Sequence, residues 1–85
     1  MNRRKLLERL RQGHVRNVSF DDLVDLLKSF GFHEVRQHGS HHAFARPDIS
    51  ELINVQPVHG EAKPYQIRQF LRLVEKYNLK LENGL

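Results

Sequence analysis

The apolar positions of this chain change their spacing along its length, and each change marks an element. Between residues 3 and 12, Leu6, Leu7 and Leu10 recur on one side of a short helix, and Gly13 follows as a stop. A second helical face is formed by Phe20, Leu23, Val24, Leu27 and Phe30. Ser19 is a good N-cap for it, and Asp22 three residues later approximates a capping box. Asp21 and Asp22 also suit the positive end of the helix dipole, and Gly31 terminates the helix. The spacing then shortens to two, which predicts strands near 32–38, 41–46 and 51–56. Helical spacing returns with Ile67, Phe70, Leu71, Val74 and Tyr77. Pro64 suits the first turn of that helix, where its missing N–H costs little.

Strand alternation assigns faces. With Val35 taken as inward, Arg36 points out, Gln37 in and His38 out. Gly39-Ser40 makes the turn, since glycine supplies the unusual dihedrals of a tight hairpin. After it, His42 and Phe44 share one face, and His41, Ala43 and Ala45 the other. Phe44 must be buried, so His41 stands on the open face. Pro47-Asp48 begins the next turn, and in the third strand Ile53 and Val55 point in. Pro57 ends that strand because it cannot donate to a ladder. The class is α+β: a three-stranded antiparallel sheet with helices on one face and the other face free. The free face is expected to carry Arg36, His38, His41, Asn54 and Gln56.

Composition narrows the class. Eighty-five residues, 39% hydrophobic and 28% charged, suit one small folded domain. There is no cysteine, so neither disulfides nor thiolate metal sites stabilise it, which fits a reducing cytosol. No apolar run approaches the ~20 residues of a membrane span, and the Arg-rich start lacks the apolar core of a secretory signal. The net charge of +4 is uneven. Residues 1–16 hold six cations against Glu8, a balance of +5, which leaves eight Lys/Arg and nine Asp/Glu elsewhere, a balance of −1. The basic arm favours polyanions, or is simply a solvated Arg-rich helix; docking on the domain, RNA contact and partner binding all stay open.

The run Arg36-Gln37-x-Gly39-Ser40-His41-x-x-Phe44 follows a Leu-rich helix that ends in Gly31-Phe32. Pro57-Val58-His59-Gly60 and a Lys63-Pro64 helix start come after it. Together, from about Ser19 to about Leu79, these motifs resemble the HicA family of toxin–antitoxin ribonucleases. The resemblance implies the αβββα fold of double-stranded-RNA-binding domains (dsRBD-like) over residues 17–80. A basic helical extension at 1–16 and a tail at 81–85 flank it. It also implies a cofactor-free cytoplasmic mRNA interferase whose catalytic histidine follows Gly-Ser, which is His41 here. Arg36, His38, Gly39, Ser40, His59 and Lys63 are the expected RNA-binding or supporting residues. The implied partners are messenger RNA and a HicB-like antitoxin covering the His41 face.

The residues themselves allow several chemistries. A free imidazole titrates near ~6.5, so His41 can exchange protons at neutral pH. RNA carries its own nucleophile in the 2′-hydroxyl, so cleavage without metal needs only proton transfer, alignment and charge stabilisation. Arg36 suits a phosphate, which guanidinium binds in a bidentate way, or is a solvated strand charge. A metal site from His38, His41, His42 and His59 lacks a known ligand spacing and has no acid fixed beside it. His14 and His33 fit plain surface positions, and His42 fits packing beside Phe44. His59 assists catalysis, binds phosphate or does neither. Arg68, Arg72 and Lys76 make a basic stripe or an ordinary solvated face. Two other classes remain: a non-catalytic dsRBD-like RNA-binding module, and a protein-interaction domain that docks a partner on the open sheet.

Overall fold

Ser19 opens a helix as its side chain promises: the hydroxyl accepts from the Asp22 N–H at 3.0 Å. In the computed structural model, which describes residues 2–82, that helix is α2 (Phe20–Ser29). The other elements are α1 (Arg3–Arg11), β1 (His33–His38), β2 (His41–Ala45), β3 (Ile53–Val55) and α3 (Pro64–Lys76). The helix, three strands, helix order is therefore present, with one helix ahead of it. The sheet runs β1-β2-β3 with both neighbours antiparallel.

One sheet face makes the core. Phe44, Ile53 and Val55 are buried with Leu23, Leu26, Leu27 and Phe30 from the α2 side and Ile67, Phe70, Leu73 and Val74 from α3. Phe70 packs edge-on against Phe30 at 5.3 Å and Phe32 at 6.4 Å, the favoured geometry for ring quadrupoles. Arg46 ties the second strand to this core. Its guanidinium donates to the Phe30 carbonyl at the end of α2, where a cation also meets the negative end of the dipole. The same group grips the Asp48 carboxylate, which holds that carboxyl below its usual range.

The first helix docks on the domain. Leu6, Leu7 and Leu10 are buried in the same cluster as the sheet, and so are Val15 and Val18. Asn2 caps α1 by accepting from Arg4 and Lys5 N–H groups. The Arg3 guanidinium holds both Asp25 oxygens of α2, at 2.8 and 3.0 Å. That pairing depresses the Asp25 carboxyl, the hydrogen bond from Arg3 being the largest cause.

Three expectations are corrected. Val35 is not inward; it is 58% exposed, because it is the extra residue of a β-bulge between Glu34 and Arg36. The bulge puts Glu34 opposite Phe44, on the core face. On α3, Leu73 is buried where Tyr77 was expected, and on α2 Leu26 joins the core. Tyr77 turns outward because Glu51 accepts its hydroxyl and also pairs with Lys76 at 2.8 Å. The third strand is half as long as its alternation suggests, since only Ile53, Asn54 and Val55 find partners on β2.

Candidate active site

The β1–β2 hairpin closes on two residues. Gly39 has φ 62°, which an ordinary side chain would strain, and it occupies the first central position of the turn. His38 and His41 flank it as direct cross-strand partners. Next along, Gln37 pairs with His42, and Arg36 with Ala43. Ala43 pairs onward with Asn54 of β3. Directly opposed residues share a face, so the ladder sorts the side chains without ambiguity. Phe44, His42, Gln37 and Glu34 face the helices. His41, His38, Ala43, Arg36 and Asn54 face away from them, as alternation predicted.

Further bonds hold this end of the hairpin. The Gln56 amide, just beyond β3, donates to the Ser40 hydroxyl at 3.1 Å. The Gln37 amide donates to the Gly39 carbonyl at 3.4 Å. On the core side, His42 lies half-buried with its ring 5.2 Å from Phe20 and Nδ1 3.3 Å from a Glu34 oxygen. His42 therefore packs, while its neighbour His41 is exposed. Gln56 was already placed on the free face by the strand alternation. The Glu34–His42 contact was not foreseen, because the bulge that turns Glu34 inward contains no glycine to announce it.

The loop after β3 leaves the sheet at this same end. Val58 and Glu61 exchange both backbone hydrogen bonds around His59-Gly60. His59 and Gly60 have φ 52° and 77°, the left-handed pair a type I′ turn requires. The Phe20 N–H donates to the Gly60 carbonyl at 2.9 Å, and Ala62 N–H to the Val18 carbonyl at 2.8 Å. His59 thus sits on a turn fastened to the start of α2, at the residue whose ring lies against His42. Lys63 is the N-cap residue of α3, and its ammonium lies 5.8 Å from the Tyr65 ring. The structure unites Arg36, His38, Gly39, Ser40 and His41 on one hairpin. His59 and Lys63 belong to the adjoining loop.

Residues 20–75 match the family model described as HicA toxin of bacterial toxin-antitoxin. The chain belongs to the HicA toxin family. No curated protein and no solved structure matches it. The HicA match begins inside the first turn of α2, so α1 lies outside it although Leu6, Leu7 and Leu10 complete the core. The match spans the whole hairpin, the His59 turn and Lys63. A HicA toxin is one half of a toxin–antitoxin pair, so an antitoxin is the partner that membership carries.

A hollow of about 390 Å³ lies between α1 and the end of α3, lined by Arg11, Leu71 and Leu79 among others and by no histidine. The His41 face is open sheet. Among the described residues, no group of three or more His, Cys, Asp or Glu is arranged to hold a metal ion. No helix among them is long and apolar enough to cross a membrane.

Proposed function

We propose that the protein is a metal-independent endoribonuclease that cleaves messenger RNA in the cytoplasm, with His41 as a catalytic residue. The observation that carries this reading is the placement of His41. It stands exposed at the start of a strand, on a hairpin whose other strand presents Arg36 on the same face. The 2′-hydroxyl attacks the adjacent phosphorus in line, and a cyclic phosphate and a 5′-hydroxyl result. His41 moves a proton in that step. Arg36 holds a non-bridging phosphate oxygen, where charge accumulates as the fifth bond forms. Gly39 and Ser40 let the sugar–phosphate chain approach the turn closely, and His59 and Lys63 extend the contact beyond it.

Family membership supports the partner as well: a HicB-like antitoxin covers the His41 face and blocks RNA from it. The reading is tested by incubating the purified chain with RNA in excess chelator and determining the product ends. Cyclic phosphate and 5′-hydroxyl ends are expected. Cleavage that vanishes in chelator and returns with a divalent ion would overturn the metal-free mechanism.

A further inference from the structure

Resting on that ribonuclease reading, we propose that His38 is a second catalytic residue and forms an acid–base pair with His41 across the hairpin turn. The register carries the proposal. His38 and His41 are directly opposed, on the free face, at the two ends of a two-residue turn. Side chains opposed in this way have Cβ atoms about 4.5–5.5 Å apart. From that separation two imidazoles can splay to opposite sides of one phosphate, which in-line displacement requires. A turn with Gly39 at φ 62° and the Gln56–Ser40 bond fix the pair's spacing.

The surroundings leave both rings uncommitted to other side chains. Among the described residues, neither imidazole has a hydrogen-bond or ion-pair partner, in contrast to His42 with Glu34. The other charged or titratable groups on this face of the strands are Arg36, two residues from His38, and His33 at the far end of β1. β2 adds only Ala43 and Ala45, and β3 adds Asn54 with Gln56 beyond it. The adjoining loop contributes His59, Glu61 and Lys63. The helices pack on the other face. No carboxylate on the free face of the strands captures either ring.

The step balances with these two groups alone. A neutral imidazole takes the 2′-hydroxyl proton as the 2′-oxygen–phosphorus bond forms. The imidazolium opposite gives its proton to the 5′-oxygen as the phosphorus–5′-oxygen bond breaks. The products are a cyclic 2′,3′-phosphate and a 5′-hydroxyl. The two rings end with protonation states exchanged, and solvent restores them.

The test uses the full-length chain, an RNA oligonucleotide with one cleavage site, and single-turnover rates across pH. A second oligonucleotide carries sulfur in place of the scissile 5′-oxygen, because a thiolate leaves without protonation. The parent should give a bell-shaped profile. His38→Gln should lose about 100-fold or more in rate, with RNA affinity changed no more than a few-fold. If His38 is the acid, His38→Gln loses the alkaline limb and the sulfur substrate restores its rate. If His38 is the base, His38→Gln loses the acidic limb and sulfur restores His41→Gln instead. A His38→Gln chain that cleaves near the parental rate with both limbs intact overturns the pair and leaves the nuclease reading standing. An altered RNA affinity with unaltered rate also overturns it, since His38 would then only bind. A parent that cleaves no RNA removes the nuclease reading itself, which is a different result.

Discussion

β1 and β3 are both edge strands, each paired with β2 on one side, yet their side chains are committed differently. β3 has three residues, and two of them, Ile53 and Val55, are buried in the core. β1 has six residues, and all are exposed. β3 is therefore held by packing as well as by its ladder. β1 is held by backbone hydrogen bonds and a turn, and its bulge at Val35 disrupts even the ladder. Such a bulge also makes a poor template for another strand, which protects an otherwise open edge. The consequence is a division of labour. Side chains on β1 can serve chemistry because the core does not need them.

The largest effect that could break this contrast is on stability. Phe44→Ala should cost about 3–5 kcal/mol and Ile53→Ala about 2–5 kcal/mol in urea denaturation, because each leaves a cavity under the sheet. Val35→Ala should stay within about 0.5 kcal/mol of the parent. A comparable loss at Val35 would mean that β1 also buries core.

The first helix belongs with β3 in this contrast. Leu10→Ala should cost about 2–5 kcal/mol, and removal of residues 1–12 should unfold the domain rather than merely weaken RNA binding. Its exposed cations are a separate matter. Lys5→Gln with Arg9→Gln should leave the melting temperature nearly unchanged. If α1 contacts single-stranded RNA, the double variant lowers the salt slope of binding by roughly 0.7 per lost contact. An unchanged slope would assign α1 to structure alone.

Much of this was legible in the sequence. Ser19 and Gly31 bounded α2 and Pro64 opened α3, because caps and stops act through local backbone chemistry. Gly39-Ser40 fixed the hairpin, and Phe44 fixed its inner face, so His41 was placed on the free face without any tertiary information. The misplacements share a different cause. Val35 falls inward only under unbroken alternation, and a bulge without glycine leaves no local mark. Tyr77 was assigned to the core because its spacing is helical, but Glu51, distant in sequence, captures its hydroxyl. The docking of α1 was undecidable from Leu6, Leu7 and Leu10, since an apolar stripe does not name what it packs on.

A smaller effect separates adjacent histidines. His42→Ala loses the Phe20 contact and leaves Glu34 without its partner, at a cost of roughly 1 kcal/mol. In a domain of this size that lowers the melting temperature by about 4–8 °C. Its cleavage rate should change much less than that of a His41 variant. An unchanged melting temperature with lost cleavage would place His42 in the chemistry.

The smallest expected effect is the acid response of the Arg3–Asp25 tie. Asp25 is depressed below its unfolded value by Arg3, so its contribution is fully present above the unfolded carboxyl value of ~3.9 and is lost as pH falls through the lower folded value. Asp25→Asn should flatten stability against pH in that acid window and leave neutral-pH stability only slightly reduced, because the pair is solvent-exposed. An acid limb identical to the parent's would show that Arg3–Asp25 does not anchor α1.

The role proposed for the free sheet face is chemistry without support of the fold. One paired measurement on His41→Ala tests it most directly: the RNA cleavage rate in chelator and the melting temperature of the same preparation. Cleavage should fall by about 100-fold or more with the melting temperature unchanged. Cleavage at the parental rate by a folded His41→Ala chain would contradict it.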